Sequence, residues 1–157
     1  MKIKMAAKTL GFAIATTLIL ALAPGAQAAD SSCSVERAAG RYAVSDSGTV
    51  LGIGPRAAVA LLTLDAAGNI KGTVTASLNG AVSNSRLAGT YTVNGDCTGT
   101  TTFGEYDQSG NLLITATVAL VWDDDMREFR FLFTSVTLPD GSSLSTVING
   151  DARKVVN

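Results

Sequence analysis

Between Ala57 and Phe103 the chain alternates apolar and polar residues with a period of two, and turn-forming residues interrupt the alternation at short intervals. From Ile70 to Leu78 the even positions Ile70, Gly72, Val74, Ala76 and Leu78 are apolar or small, while Lys71, Thr73, Thr75 and Ser77 are not. Successive side chains of an extended chain point to opposite faces, so this pattern predicts strands with one buried and one wet face. Leu87, Gly89, Tyr91 and Val93 repeat it against Ala88, Thr90 and Thr92. Asp65–Asn69 and Asn79-Gly80 separate the runs, and Gly and Asn supply the positive φ that tight hairpins need.

The same reading extends to both sides. Arg41–Thr49 predicts a first strand, Val50–Arg56 a Gly- and Pro-punctuated connection, and Ala58–Leu64 a strand covered on both faces or closely packed. Val82–Val93 reads as a strand interrupted near Ser83-Asn84-Ser85, and Thr98–Phe103 as a short one. Asp107-Gln108-Ser109-Gly110-Asn111 repeats the form of Asp65-Ala66-Ala67-Gly68-Asn69, as two hairpin turns with a left-handed Gly would. Leu112–Trp122 puts Leu112, Ile114, Ala116, Val118, Leu120 and Trp122 on one face. After Asp123-Asp124-Asp125, Phe129, Phe131 and Phe133 alternate with Glu128, Arg130, Leu132 and Thr134. Pro139-Asp140-Gly141 marks a turn, and Leu144–Val155 is the last strand. About eight strands on short connections, without a helix, predict an all-β fold. The expectation is an antiparallel meander barrel, with a two-sheet sandwich as the alternative.

Residues 1–28 have the form of a secretory signal peptide. Lys2, Lys4 and Lys8 precede an uncharged apolar run, Leu10–Ala23, and Ala26-Gln27-Ala28 offers small residues for cleavage. The run is shorter than the roughly 20 residues that cross a bilayer, so no stable membrane insertion is expected after cleavage. The sequence thus predicts an exported chain, periplasmic or extracellular, with residues 29–157 as one barrel domain. Without the leader, nine Lys and Arg face thirteen Asp and Glu, a net charge of −4, which gives no electrostatic reason to bind nucleic acid.

Cys33 and Cys97 are the two cysteines of the chain. An even count in an oxidising compartment predicts a disulfide, which would close a loop of roughly sixty residues. The chain contains no histidine, which removes the Ser-His-Asp triad, the Cys-His pair and the commonest zinc ligand. No metal site, no cofactor and no catalytic residue is predicted. Asp123–Asp125 reads as a solvated hairpin tip with Arg127 beside it. Glu105 and Asp107 have the spacing of a carboxylate pair but read as exposed turn acids. Glu128 and Arg130 read as a surface pair. An inward Arg on that strand would instead anchor an anion.

Cys33-Ser34, Gly40-Arg41-Tyr42, Leu62-Thr63-Leu64-Asp65 with Gly68-Asn69, and Gly72-Thr73-Val74-Thr75 carry a likeness that is clearest in Gly89–Asn94 with Asp96–Thr100. By these motifs the chain resembles a group of short exported, mostly uncharacterised bacterial β proteins. Their layout is similar to calycin-like barrels of the lipocalin and allene oxide cyclase type. That resemblance implies a barrel that binds, or isomerises, a small apolar molecule. Tyr91, Trp122, Phe129, Phe131 and Phe133 are the candidate ligand-lining residues, although filling a core is the default role of such groups. Three roles follow. A binding module predicts a cavity of a few hundred Å3. A cofactor-free isomerase or cyclase predicts a buried Tyr, Glu or Asp facing that cavity. A cell-surface structural or interaction protein predicts an open sheet edge. Ligand identity and oligomeric state stay open at this level.

Overall fold

Short turns after each period-two segment leave successive strands no choice but to lie antiparallel beside one another. The computed structural model describes residues 33–155; the leader expected over residues 1–28 lies outside them. One helical turn, α1 (Val35–Ala38), leads into β1 (Gly40–Val50), β2 (Gly54–Leu64), β3 (Asn69–Leu78) and β4 (Ala81–Val93). Then come β5 (Thr98–Tyr106), β6 (Leu112–Trp122), β7 (Glu128–Thr137) and β8 (Thr146–Lys154). Each strand pairs with the next, and β8 pairs with β1, so the sheet closes into an eight-stranded meander barrel. Closure excludes the sandwich and removes the open edge on which a surface-interaction role would rest.

The alternation sets the wall. Tyr42, Val44 and Val50 of β1, Leu62 and Leu64 of β2, and Val118, Leu120 and Trp122 of β6 are buried inside. Curving eight strands this tightly brings neighbouring backbones close at inward glycines. A Cβ on Gly72 would lie 2.3 Å from the Leu61 carbonyl, and one on Gly89 would lie 2.1 Å from that of Thr102. Glycine at those two points lets the sheet bend where a side chain would hold it open.

Four expectations are corrected. Val50–Arg56 is not a long connection: the turn is Leu51–Ile53, and β2 is already paired from Gly54. Ala58–Leu64 is not covered on both faces, because Val59 and Leu61 are exposed on the outer wall. An apolar run here hides ordinary alternation. β4 is unbroken through Ser83-Asn84-Ser85, where Ser85 turns inward and Asn84 outward. Finally, α1 is a helix of four residues, capped by Ser34, whose hydroxyl accepts from the Arg37 N–H.

The two Asp–Gly–Asn turns are built alike. Asp65 Oδ1 accepts from the N–H groups of Ala67 and Asn69, and Asp107 Oδ1 from those of Ser109 and Asn111. Gly68 and Gly110 have φ of 85° and 89°. The side-chain amides of Asn69 and Asn111, with those backbone donors, hold both carboxyls below the usual carboxylate range.

Candidate functional site

One end of the barrel is plugged. α1 lies across it, tied to the β4–β5 turn by the Cys33–Cys97 disulfide. Two phenols fasten the plug from inside. The Tyr42 hydroxyl lies 2.8 Å from the Ala38 carbonyl and 3.2 Å from that of Met126, and donates into this pair. The Tyr91 hydroxyl lies 2.6 Å from the Asp65 carbonyl and 3.1 Å from that of Val35. Burial, then the nearby carboxylates Asp65 and Glu36, push the Tyr91 phenol up to about 12. A phenol used in this way is a fastener rather than an acid. Met126, fully buried at the β6–β7 tip, completes the closure. That tip is the Asp123–Asp125 turn, where Asp123 accepts from the backbone of Arg127 and Glu128.

Beyond the plug lies an interior cavity of about 50 Å3, room for about three water molecules. Its wall is mostly apolar: Val44, Leu62, Val74, Leu87, Val118 and Leu120 are representative. A second depression of about 160 Å3 opens at the far end, among Val50, Leu78, Leu113, Val136, Leu144 and Ile148. Arg56, Glu105 and Phe133 line both spaces. These three residues form the neck between the interior and the mouth.

The neck carries the interior charge. Arg56 Nη1 donates to Asp46 Oδ1, and both side chains are about nine-tenths buried. Glu105, 9% exposed, accepts at Oε1 from the hydroxyl of Ser85, which is 2% exposed. The Arg56 guanidinium also lies 5.6 Å from the Phe133 ring centroid, a cation–π distance. Burial pushes the Asp46 carboxyl up; Arg56 pulls it back and the like charge of Glu105 adds to the rise. The net direction is upward, so desolvation outweighs the ion pair.

A raised carboxyl carries a stability consequence. Ionised Asp46 is disfavoured in the fold, so its contribution is best below the ordinary carboxylate range and is lost as pH rises through its folded pKa. Asp46→Asn mimics the protonated form while keeping an acceptor for Arg56. It is expected to be neutral to stabilising at pH 7. The difference should vanish below about pH 3.8, where Asp46 is protonated in both states. Urea unfolding at the two pH values measures it, and a large loss at pH 7 would contradict the sign.

The candidate aromatic residues divide. Tyr91, Phe129, Phe131 and Phe133 present rings to the interior cavity. Trp122 stands behind Phe129, 4.4 Å between centroids, and packs edge-on to Tyr42 towards the plug. Its indole N–H is buried without a partner. Glu128 pairs with Arg153 outside, and Arg130 is exposed. Glu105 corrects the turn reading: β5 runs on to Tyr106, so alternation carries Glu105 inward, while Asp107 sits in the turn.

Asp46, Arg56 and Ser85 were not among the candidates, yet one signal could have found them. Asp46 falls in phase with Tyr42, Val44 and Val50, and Arg56 with Ala58, Leu62 and Leu64. A charge on the apolar parity of a strand is an inward charge.

No family model matches this chain, and no curated protein does. Solved structures do. A redesigned β-barrel, mFAP1, bound to DFHBI superposes with a TM-score of 0.51 at 13% identity, covering 77% of this chain and 98% of that one. EF1p2_mFAP2b, bound to DFHBI, gives 0.54 at 13% identity, covering 79% and 98%. An S-type phycobiliprotein lyase, CPES, from Guillardia theta reaches only 0.47 at 8% identity, covering 81% and 96%. At such identities the likeness is one of fold: this chain is an eight-stranded barrel that shares its architecture with the first two of these structures.

Proposed function

We propose that the chain is a small-molecule-binding barrel that takes a mainly apolar ligand through the mouth and past the neck. The observation that carries this reading is the mostly apolar interior, plugged at one end and sharing Arg56, Glu105 and Phe133 as lining with a depression at the other. Such a concave apolar site with a few convergent polar groups is the usual form of a ligand pocket. Two structures of similar fold, one of them a redesigned β-barrel, are bound to DFHBI, which supports the capacity of the architecture for a small guest. The inner space, at about 50 Å3, is smaller than the few hundred Å3 expected and smaller than a single aromatic ring, so even a one-ring guest draws Phe131 and Phe133 aside. Tyr91, Phe129, Phe131 and Phe133 are the proposed aromatic contacts. The export signal over residues 1–28, a mature domain over 29–157 and a periplasmic or extracellular location belong to the same proposal. The Cys33–Cys97 bridge supports them, since such bridges persist in oxidising compartments.

Ala60 lines the cavity and tests the site. With single-ring hydrocarbons as probes, amide shift changes are expected at Val74, Leu87 and Val118. Ala60→Phe, which costs about 1–3 kcal/mol for overpacking, should abolish them while the circular dichroism stays that of the parent. Changes confined to the outer wall at Val59, Leu61 and Leu132 would sink the proposal.

One observation favours a second reading, acid–base catalysis by an isomerase or cyclase. Asp46 and Glu105 are buried carboxyl groups on the cavity wall, and Asp46 is shifted towards the range where a carboxyl exchanges protons at mild pH. Deuterium uptake at an activated carbon of a bound ketone, lost in Glu105→Gln, would raise this reading above simple binding.

A further inference from the structure

The charge balance at the neck bears on what kind of head group the ligand carries, and the inference rests on the pocket reading above. Arg56 commits Nη1 to Asp46, and among the described residues its other nitrogens meet no acceptor. Glu105 Oε1 takes the Ser85 hydroxyl, and among the described residues Oε2 meets no donor. Among the described residues Arg56 forms its ion pair with Asp46 and none with Glu105, although both line the same two spaces. A residue with a spare donor and one with a spare acceptor therefore line the same two spaces.

Two carboxyl groups surround a single guanidinium. With both ionised the cluster carries −1; with either one protonated it carries zero. In neither state is there surplus positive charge to compensate a buried anion, and a ligand carboxylate would meet like charges in a desolvated neck. A head that donates hydrogen bonds meets the opposite situation: Glu105 Oε2 accepts from it, and a charge-assisted bond of that type is about twice as strong as a neutral one. An alcohol oxygen can in turn accept from Arg56. The mouth, at about 160 Å3, is wide enough to admit one aromatic ring on its way past the neck, comparable to the roughly 150 Å3 of a dry engineered cavity that binds benzene.

We infer that the pocket selects amphiphiles of single-ring size whose polar head is an alcohol or an amine, held between Arg56 and Glu105, and rejects the matching carboxylates.

The test uses three probes with one skeleton, 2-phenylethylamine, 2-phenylethanol and phenylacetate, titrated at pH 7 against the disulfide-bonded protein and followed by amide shifts. The amine and the alcohol are expected to bind at least about tenfold more tightly than the carboxylate, the scale of one hydrogen bond to a charged group. Glu105→Gln keeps an acceptor for Ser85 and should weaken the amine by about tenfold while moving the alcohol by less than about twofold. Equal binding of all three probes leaves the pocket standing and overturns the head-group selection, as does preference for phenylacetate. An amine unaffected by Glu105→Gln overturns the role of Glu105. Binding by none of the three, or binding that Ala60→Phe leaves intact, overturns the pocket and this inference with it.

Discussion

Arg56→Met should cost about 3–5 kcal/mol of stability at pH 7, the range found when one partner of a buried ion pair is removed. Methionine fills much of the same volume, so little of this loss is packing. What remains is Asp46, its side chain 9% exposed, and Glu105 on the same cavity wall with no guanidinium between them and solvent-poor surroundings. Burial already pushes Asp46 up with Arg56 present, and removing the pull of Arg56 sends it higher. A carboxyl whose folded pKa lies above its unfolded value gives full stability below the unfolded pKa and loses it as pH rises through the folded one. The variant should therefore recover on acidification and approach the parent near pH 4. Urea unfolding followed by the single Trp122, which is buried, reads both conditions. A deficit of equal size at pH 4 and pH 7 would show that the guanidinium stem, and not its charge, is what the neck needs.

The barrel was legible in the sequence for a physical reason that also explains what was missed. Period-two alternation and Gly-Asn turns report directly on which side of a strand faces the core, and they gave eight strands, the two matching Asp–Gly–Asn turns and the inward aromatic row Phe129, Phe131, Phe133. Where the outer face is itself apolar, as at Val59 and Leu61, the alternation vanishes from the letters though not from the fold. The candidate site failed differently. Carboxylates were sought by their spacing from one another, so Glu105 was paired with Asp107 and placed in a turn. Distance along one strand says nothing of partners across a barrel: Glu105 meets Ser85, twenty residues away, through the β4–β5 register. The inward arginine imagined on β7 at Arg130 exists on β2 at Arg56, ten residues from its Asp46 partner. Strand parity would have found both. α1 escaped because four residues carry too little periodicity to declare a helix; its place is set by the tertiary bonds from Tyr42 and Tyr91.

Replacing Cys33 and Cys97 together by Ala is expected to destabilise the chain by about 4 kcal/mol, from the entropy of a loop closed across a separation of 64 residues. Two mechanisms are in play, and they leave opposite traces. If the bridge acts on the unfolded chain, removing it lets that ensemble expand, exposes more surface on unfolding and raises the denaturant slope m. If instead it acts by holding α1 across the barrel end, removal frays the plug in the folded state, which lowers m. The hydrogen bonds favour the first. Tyr42 and Tyr91 each reach an α1 carbonyl, Lys154 Nζ donates to the Arg37 carbonyl at 2.9 Å, and the backbone N–H of Trp122 donates to the Cys97 carbonyl at 2.8 Å. None of these bonds needs the sulfur bridge, so α1 should stay seated in the variant. Tyr91→Phe supplies the contrast, since it breaks only a folded-state fastening and should cost about 1 kcal/mol with m unchanged. A fall in m for the cysteine variant, with Tyr91→Phe then costing nothing further, would mean that the disulfide alone keeps that end of the barrel shut.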